Sequence, residues 1–234
     1  MAWRRNFSQT LVERDIPQLG IGIPAQALLR FWTMLAHYHG QTWNAAPPAR
    51  SLGVSEPTAR RYLDLMEGVF MVRQLQPWHA NLKKRQVKAP KIYLRDSGLL
   101  HFLLGIRSER DLLAHPVCGA SWEGYVIEEA ISAIQPEEVY FWATHNGAEL
   151  DLLLIKGGKR IGLECKRVDA PRITSSIRIA MTDLELDRLL VVYPGSRRYP
   201  LAERVEALPL NDLISGLPFC IERDDHVSIK EPGC

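Results

Sequence analysis

Three residues in the C-terminal half have the types and spacing for phosphodiester chemistry: Asp151, Glu164 and Lys166. Two carboxylates can hold Mg²⁺ or Mn²⁺ through oxygen, and the ion polarises a phosphate and lowers the pKa of a bound water. A lysine beside them would orient that water or stabilise charge developing on phosphorus. The plainer alternative is a hairpin carrying a cross-strand or neighbouring ion pair, because short Asp and Glu-x-Lys patterns are common.

The elements that must position these residues follow from the local pattern. Residues 149–156 and 159–166 read as strands joined at Gly157-Gly158, a pair that tolerates the positive φ of a tight hairpin. Alternation puts Glu164 and Lys166 on one face and Leu163 and Cys165 on the other. Pairing symmetrically about the glycines sets Asp151 opposite Glu164, with Cβ atoms about 4.5–5.5 Å apart. Asp151 lies in an otherwise apolar run, where an unpaired charge is expensive to bury. Upstream, Trp122, Tyr125, Val126, Ala130, Ile131 and Ile134 recur at three and four, which predicts a helix over 119–134 with Ser121 as its N-cap. Glu123 falls near its start. A helix over 173–186, a strand over 189–193, and a last strand and short helix within 204–217 follow.

Helix with Glu123, strand with Asp151, hairpin, then strand with Glu164-x-Lys166 resembles the PD-(D/E)xK nuclease-like core. A wider ordered set is similar to the domain of unknown function that follows the nucleotide-binding module in a group of prokaryotic AAA+ ATPases: Glu13-Arg-Asp-Ile16, Leu52 to Tyr62, Lys91 to Leu99, Trp122-Glu-Gly-Tyr-Val126, Glu149-Leu-Asp151 and Glu164-Cys-Lys166. The resemblance implies Glu123, Asp151, Glu164 and Lys166 as catalytic residues, with Asp151, Glu164 and Glu123 as ligands of Mg²⁺ or Mn²⁺. It also implies DNA as a partner, with an ATPase module or another protein as the alternative.

In the N-terminal half, residues 23–39 read as a helix with a broad apolar face, and 49–66 as a helix, a Gly53 turn and a second helix capped by Ser55. Ala59, Tyr62, Leu63 and Met66 face inward, leaving Arg60 and Arg61 near solvent where a recognition helix meets DNA. A strand at 70–75, a basic segment with Lys83, Lys84, Arg85, Lys88 and Lys91, and a strand at 92–95 complete a winged helix. These cations suit a phosphate backbone or, equally, an acidic protein surface. An apolar helix over 96–105 and a boundary at 108–116 close this half.

The expected architecture is therefore α/β (α+β overall): residues 1–19 as the tail of a preceding ATPase module, 20–107 as an N-terminal winged helix-turn-helix, 117–220 as a restriction-endonuclease-like PD-(D/E)xK α/β domain, and 221–234 as a polar C-terminal tail. A net charge of +2 over 234 residues does not by itself mark a nucleic-acid binder. Cys118, Cys165, Cys220 and Cys234 show no zinc-ligand spacing and read as reduced thiols. His37 and His39, two apart on a helix, are poor partners for one metal. No stretch matches a phosphate loop, so no ATP hydrolysis is expected of this chain. No membrane-spanning run or signal-peptide core is evident, which makes the cytoplasm the expected compartment. The functional expectation is a metal-dependent, nuclease-like effector region, or else a DNA- or protein-binding module on an inactive nuclease fold.

Overall fold

Val12 and Ile16 lie one helical turn apart with Leu11 beside them, and in the computed structural model, which describes residues 2–79 and 87–216, all three are buried. They lie on helix α1 (Ala2–Thr10), a π-helical turn (Leu11–Asp15) and α2 (Ile16–Gln18). Together they pack into one core with Leu28, Phe31, Trp32 and Leu35 of α3 (Ala25–His37) and with Leu63 and Met66 further on. The segment expected as the tail of a preceding ATPase module thus packs, through these three residues, into a core of this chain. Their apolar side is covered by elements that come later in the chain.

After a two-residue strand β1 (Gln41–Thr42), α4 (Ala46–Leu52) ends where Gly53 takes a left-handed φ of 69°. Ser55 then accepts the Thr58 N–H at 3.3 Å and starts α5 (Glu56–Gly68). Ala59, Leu63 and Met66 are buried, and Arg60 and Arg61 are exposed on the opposite side. Strands β2 (Val72–Leu75) and β3 (Lys91–Leu94) pair antiparallel, and with β1 they make a three-stranded sheet in the order β1-β3-β2. Lys83, Lys84 and Arg85 lie outside the described residues, and Lys88 is exposed. Asp96 caps α6 (Ser97–Leu103) through a 2.6 Å bond from the Leu99 N–H. The expected boundary holds a short helix, α7 (Glu109–Ala114), started by a capping box between Ser108 and Asp111.

Helix α8 (Cys118–Ile134) leads into a six-stranded sheet built from β4 (Glu138–Ala143), β5 (Glu149–Lys156), β6 (Lys159–Cys165), β7 (Arg188–Tyr193), β8 (Tyr199–Ala202) and β9 (Val205–Pro209). Helix α9 (Ser175–Asp183) crosses between the parallel strands β6 and β7, and α10 (Leu210–Ile214) follows β9. The sheet order is β4-β5-β6-β7-β9-β8, and its two edge strands, β4 and β8, are not among the strands expected from sequence. Helix α8 does not begin at Ser121; that side chain is buried within the helix and hydrogen-bonds His101 Nε2 at 2.8 Å. Tyr125, expected on the apolar side, is exposed.

Two buried cores line the faces of this sheet. Val126, Ile127 and Ala130 of α8 pack with Leu152, Leu154, Leu163, Leu190 and Val192. Ile177 and Ala180 of α9 pack with Leu150, Leu153, Leu189 and Val191 on the other side. The N-terminal half joins the first core directly, since Leu75 and Tyr93 belong to it. Backbone bonds join the halves too: the Trp78 N–H donates to Phe141 O at 2.6 Å and the Phe141 N–H to Gln76 O at 3.0 Å. Glu128 of α8 accepts from Arg73 of β2, with one bond at 2.9 Å, and from Arg95 at 3.0 Å, which clamps α8 to the small sheet. Among the described residues no helix is long and apolar enough to cross a membrane.

Candidate active site

The hairpin register follows the glycine pair as the sequence indicates. Lys156 pairs with Lys159 and Leu152 with Leu163, symmetric about Gly157-Gly158. At Asp151 the regular alternation fails. Tyr140 pairs with Leu153 and Trp142 with Leu150, so Phe141 alone opposes both Asp151 and Leu152 in a β-bulge. One consequence is that Leu150 and Leu153, three apart, reach the same α9-side core, which plain alternation forbids. Asp151 does not stand as a simple cross-strand twin of Glu164. Its Oδ2 instead accepts the Cys165 N–H at 2.8 Å.

Glu164 lies opposite Val191 on β7, and its carboxylate is buried. Oε1 is 2.6 Å from the Lys166 ammonium. Oε2 is buried without a hydrogen-bond partner, the one anionic oxygen in that condition among the described residues. Such an orphan costs free energy on the order of 1–3 kcal/mol or more if nothing ever meets it. Burial raises the Glu164 carboxyl above its usual range even against the lowering effect of Lys166. For Lys166, burial works to lower the ammonium, but the Glu164 charge and hydrogen bond outweigh it and the net shift is upward. Asp151 is pushed well above the carboxylate range by burial, then by the charges of Glu123 and Glu164. A cation beside Asp151 would offset these charges and favour its ionised form.

Glu123, on the first turns of α8, is engaged by the N-terminal half. Tyr93 donates its hydroxyl to Glu123 Oε1, and Lys91 Nζ lies 3.2 Å from the same oxygen. The sequence places Lys91 with the basic segment of a wing; in the structure it is buried and faces the acids instead. Burial works to lower its pKa, yet Glu123, Asp151 and Glu149 together raise it. Lys91 and Tyr93 are the site residues that local sequence reasoning missed. The only signal for them is a lysine alternating with a tyrosine in an otherwise apolar strand.

The three-ligand metal set expected of Glu123, Asp151 and Glu164 is not assembled. Among the described residues no group of three or more His, Cys, Asp or Glu side chains is gathered to hold a metal ion. The physical reason lies in the bonds already described: Glu123 is held by Tyr93 and Lys91, and the bulge hands Asp151 to Cys165. A two-carboxylate site still fits Mg²⁺, which commonly binds one or two carboxylates and completes its octahedron with water and substrate phosphates. Asp151 and Glu164 are the residues that would hold it, and the orphaned Glu164 Oε2 suits that role.

Cys165, half-buried, packs against the α8-side core, and burial pushes its thiol well up, which disfavours the thiolate. His39 is buried with both nitrogens used: Nδ1 accepts the Leu94 N–H at 3.0 Å, so Nε2 carries the proton donated to Ala120 O at 3.0 Å. A groove of about 760 Å³, lined by Asp169, Tyr193, Gly195, Arg197, Arg198 and Tyr199, opens at the carboxyl end of β7. Ligands of open α/β sheets commonly bind at that end of the strands, where Lys166 also lies.

Comparison with known proteins matches both halves of this arrangement. Residues 1–110 fit the family model "Domain of unknown function (DUF8612)", and residues 118–213 fit "Domain of unknown function (DUF4143)". The chain is 50% identical over 214 residues to "Uncharacterized protein Rv2008c" of Mycobacterium tuberculosis and equally to "Uncharacterized protein Mb2031c" of Mycobacterium bovis. The match takes in 92% of this chain and 48% of each relative, so the chain spans about half the length of the curated relatives it matches. Among solved structures, protein VC1899 from Vibrio cholerae aligns over 91% of this chain and 52% of its own, at 11% identity and a TM-score of 0.29, a likeness too slight to carry an argument.

Proposed function

We propose that this chain is a nucleic-acid-associated, metal-dependent phosphodiesterase of PD-(D/E)xK type, joined to a winged helix and acting as the effector region of an AAA+ ATPase family protein. The observation that carries the reading is the buried Glu164, with one oxygen on Lys166 and the other unpartnered, beside a buried Asp151. Bound Mg²⁺ or Mn²⁺ would supply a polarised phosphate oxygen and a water of lowered pKa. The ammonium of Lys166, partly exposed, stabilises charge developing on the phosphate. Arg60 and Arg61 on α5, with Lys88 and with Lys83, Lys84 and Arg85 outside the described residues, contact the backbone of DNA. Metal-dependent cleavage of single- and double-stranded DNA and RNA by the wild type and Lys166→Ala tests the reading. Cleavage by the wild type that Lys166→Ala abolishes supports it, whereas no cleavage with either ion speaks against it.

A second reading has its own observation. The Asp151 carboxylate already has a backbone donor in Cys165, which lets the acid persist as a structural group in a non-catalytic DNA- or protein-binding module. Under that reading DNA binding survives without any metal effect.

A further inference from the structure

We infer that Lys91 and Tyr93, supplied by the N-terminal half, are positioning residues for Glu123, so that the candidate site is complete only when the two halves are packed together. The inference rests on the nuclease reading above. Strand β3 is buried along its whole length, and residues two apart on a strand face the same way, so Lys91 and Tyr93 are presented together. The side they face is the first turns of α8, where both converge on one oxygen, Glu123 Oε1. Lys91 is further held over the Phe141 ring, with Nζ 5.5 Å from its centroid.

The packing around this contact leaves no slack. A Cβ at position 124 would sit 2.5 Å from His39 Nε2 and 3.1 Å from a Tyr93 ring carbon, so the glycine after Glu123 is what lets β3 approach α8. Tyr93 is fully buried and Lys91 nearly so, which excludes both from touching a substrate. Their effect is to fix the rotamer of Glu123 by occupying one carboxylate oxygen, which leaves the other free to accept from a water of an ion held by Asp151 and Glu164. Partners of this kind orient the groups around a metal, and removing one typically costs about 10–100-fold in metal affinity or activity.

The test uses the full chain and Mn²⁺, with free ion followed by electron paramagnetic resonance and turnover followed on DNA. Tyr93→Phe keeps the ring and removes only the donor. The expected result is a Mn²⁺ Kd raised, and kcat lowered, by about tenfold or more, with KM for DNA and the melting temperature little changed. Lys91→Gln should weaken Mn²⁺ binding likewise, and Lys91→Arg should restore part of it. Wild-type Mn²⁺ affinity and kcat in Tyr93→Phe would overturn the inference while leaving the nuclease reading standing. A wild type that neither binds Mn²⁺ nor cleaves would overturn both. If Lys91→Gln fails to fold, Tyr93→Phe alone decides.

Discussion

The ammonium of Lys166 lies 2.6 Å from Glu164 Oε1, two residues along the same strand, while Glu164 Oε2 is buried with nothing to bond. A lysine able to satisfy one oxygen of a buried carboxylate and not the other leaves a defined place for a second cation. Stability alone does not account for that arrangement, because apolar residues of similar volume would bury at lower cost.

His39 gives a pH dependence whose sign can be worked out. Burial, against the raising effect of the hydrogen bond to Ala120 O, lowers the imidazole from 6.5 to about 4 in the folded state. Between those values the unfolded chain binds the proton and the folded chain does not, so stability is full above about pH 6.5 and is lost as pH falls toward 4. The loss amounts to roughly 3 kcal/mol. Acids whose folded pKa is raised, Asp151 among them, act in the opposite sense in wild type and variant alike. Urea unfolding at pH 7 and pH 4.5 should therefore show a smaller acid loss in His39→Gln than in wild type; equal losses would show that His39 is not the group responsible.

Glu128 ties α8 to β2 and to Arg95 through a partly buried three-residue cluster. Removing the shared anion strands two guanidinium groups, a change of the kind that costs about 3 kcal/mol or more. Glu128→Ala should lower the urea midpoint accordingly and loosen the two halves relative to each other. A change under about 0.5 kcal/mol, typical of ordinary surface substitutions, would mean the cluster is solvated in solution.

Exposed on α5, Arg60 and Arg61 have no buried role to lose. If they meet phosphates, Arg60→Ala with Arg61→Ala weakens DNA binding and flattens the dependence of log K on log salt by about one unit per lost contact. The same holds for Lys83, Lys84 and Arg85. Unchanged affinity and slope would favour docking on an acidic protein surface.

Much of this fold is readable residue by residue where the signal is local. Gly157-Gly158 sets the hairpin register, Gly53 and Ser55 place the turn and cap of α5, and three-four spacing marks α8. The Ser108-x-x-Asp111 box is equally local, and it starts a helix inside the stretch that sequence marks as a boundary. What escaped depends on long-range packing. Leu11, Val12 and Ile16 look unpartnered until α3 packs against their segment. Lys91 reads as the end of a basic run because nothing near it in sequence reveals that β3 is walled on both faces and opposes Glu123. The bulge at Asp151 has no glycine or proline to announce it, nor does the sequence show that the Asp151 carboxylate accepts from the Cys165 N–H.

The central claim is that Asp151 and Glu164 share a divalent cation, and thermal unfolding with and without Mg²⁺ or Mn²⁺ measures it most directly. Without metal, Asp151→Asn should melt no lower than wild type, because the amide relieves repulsion with Glu123 and Glu164 while its oxygen can still accept from the Cys165 N–H. With metal, the wild type should gain, by about 2.7 kcal/mol when the ion is at 100 times its Kd, and Asp151→Asn should lose that gain. Lys166→Ala should keep or strengthen it while abolishing cleavage. A wild type that gains nothing from either ion, or an Asp151→Asn variant that gains as much as wild type, would contradict the account.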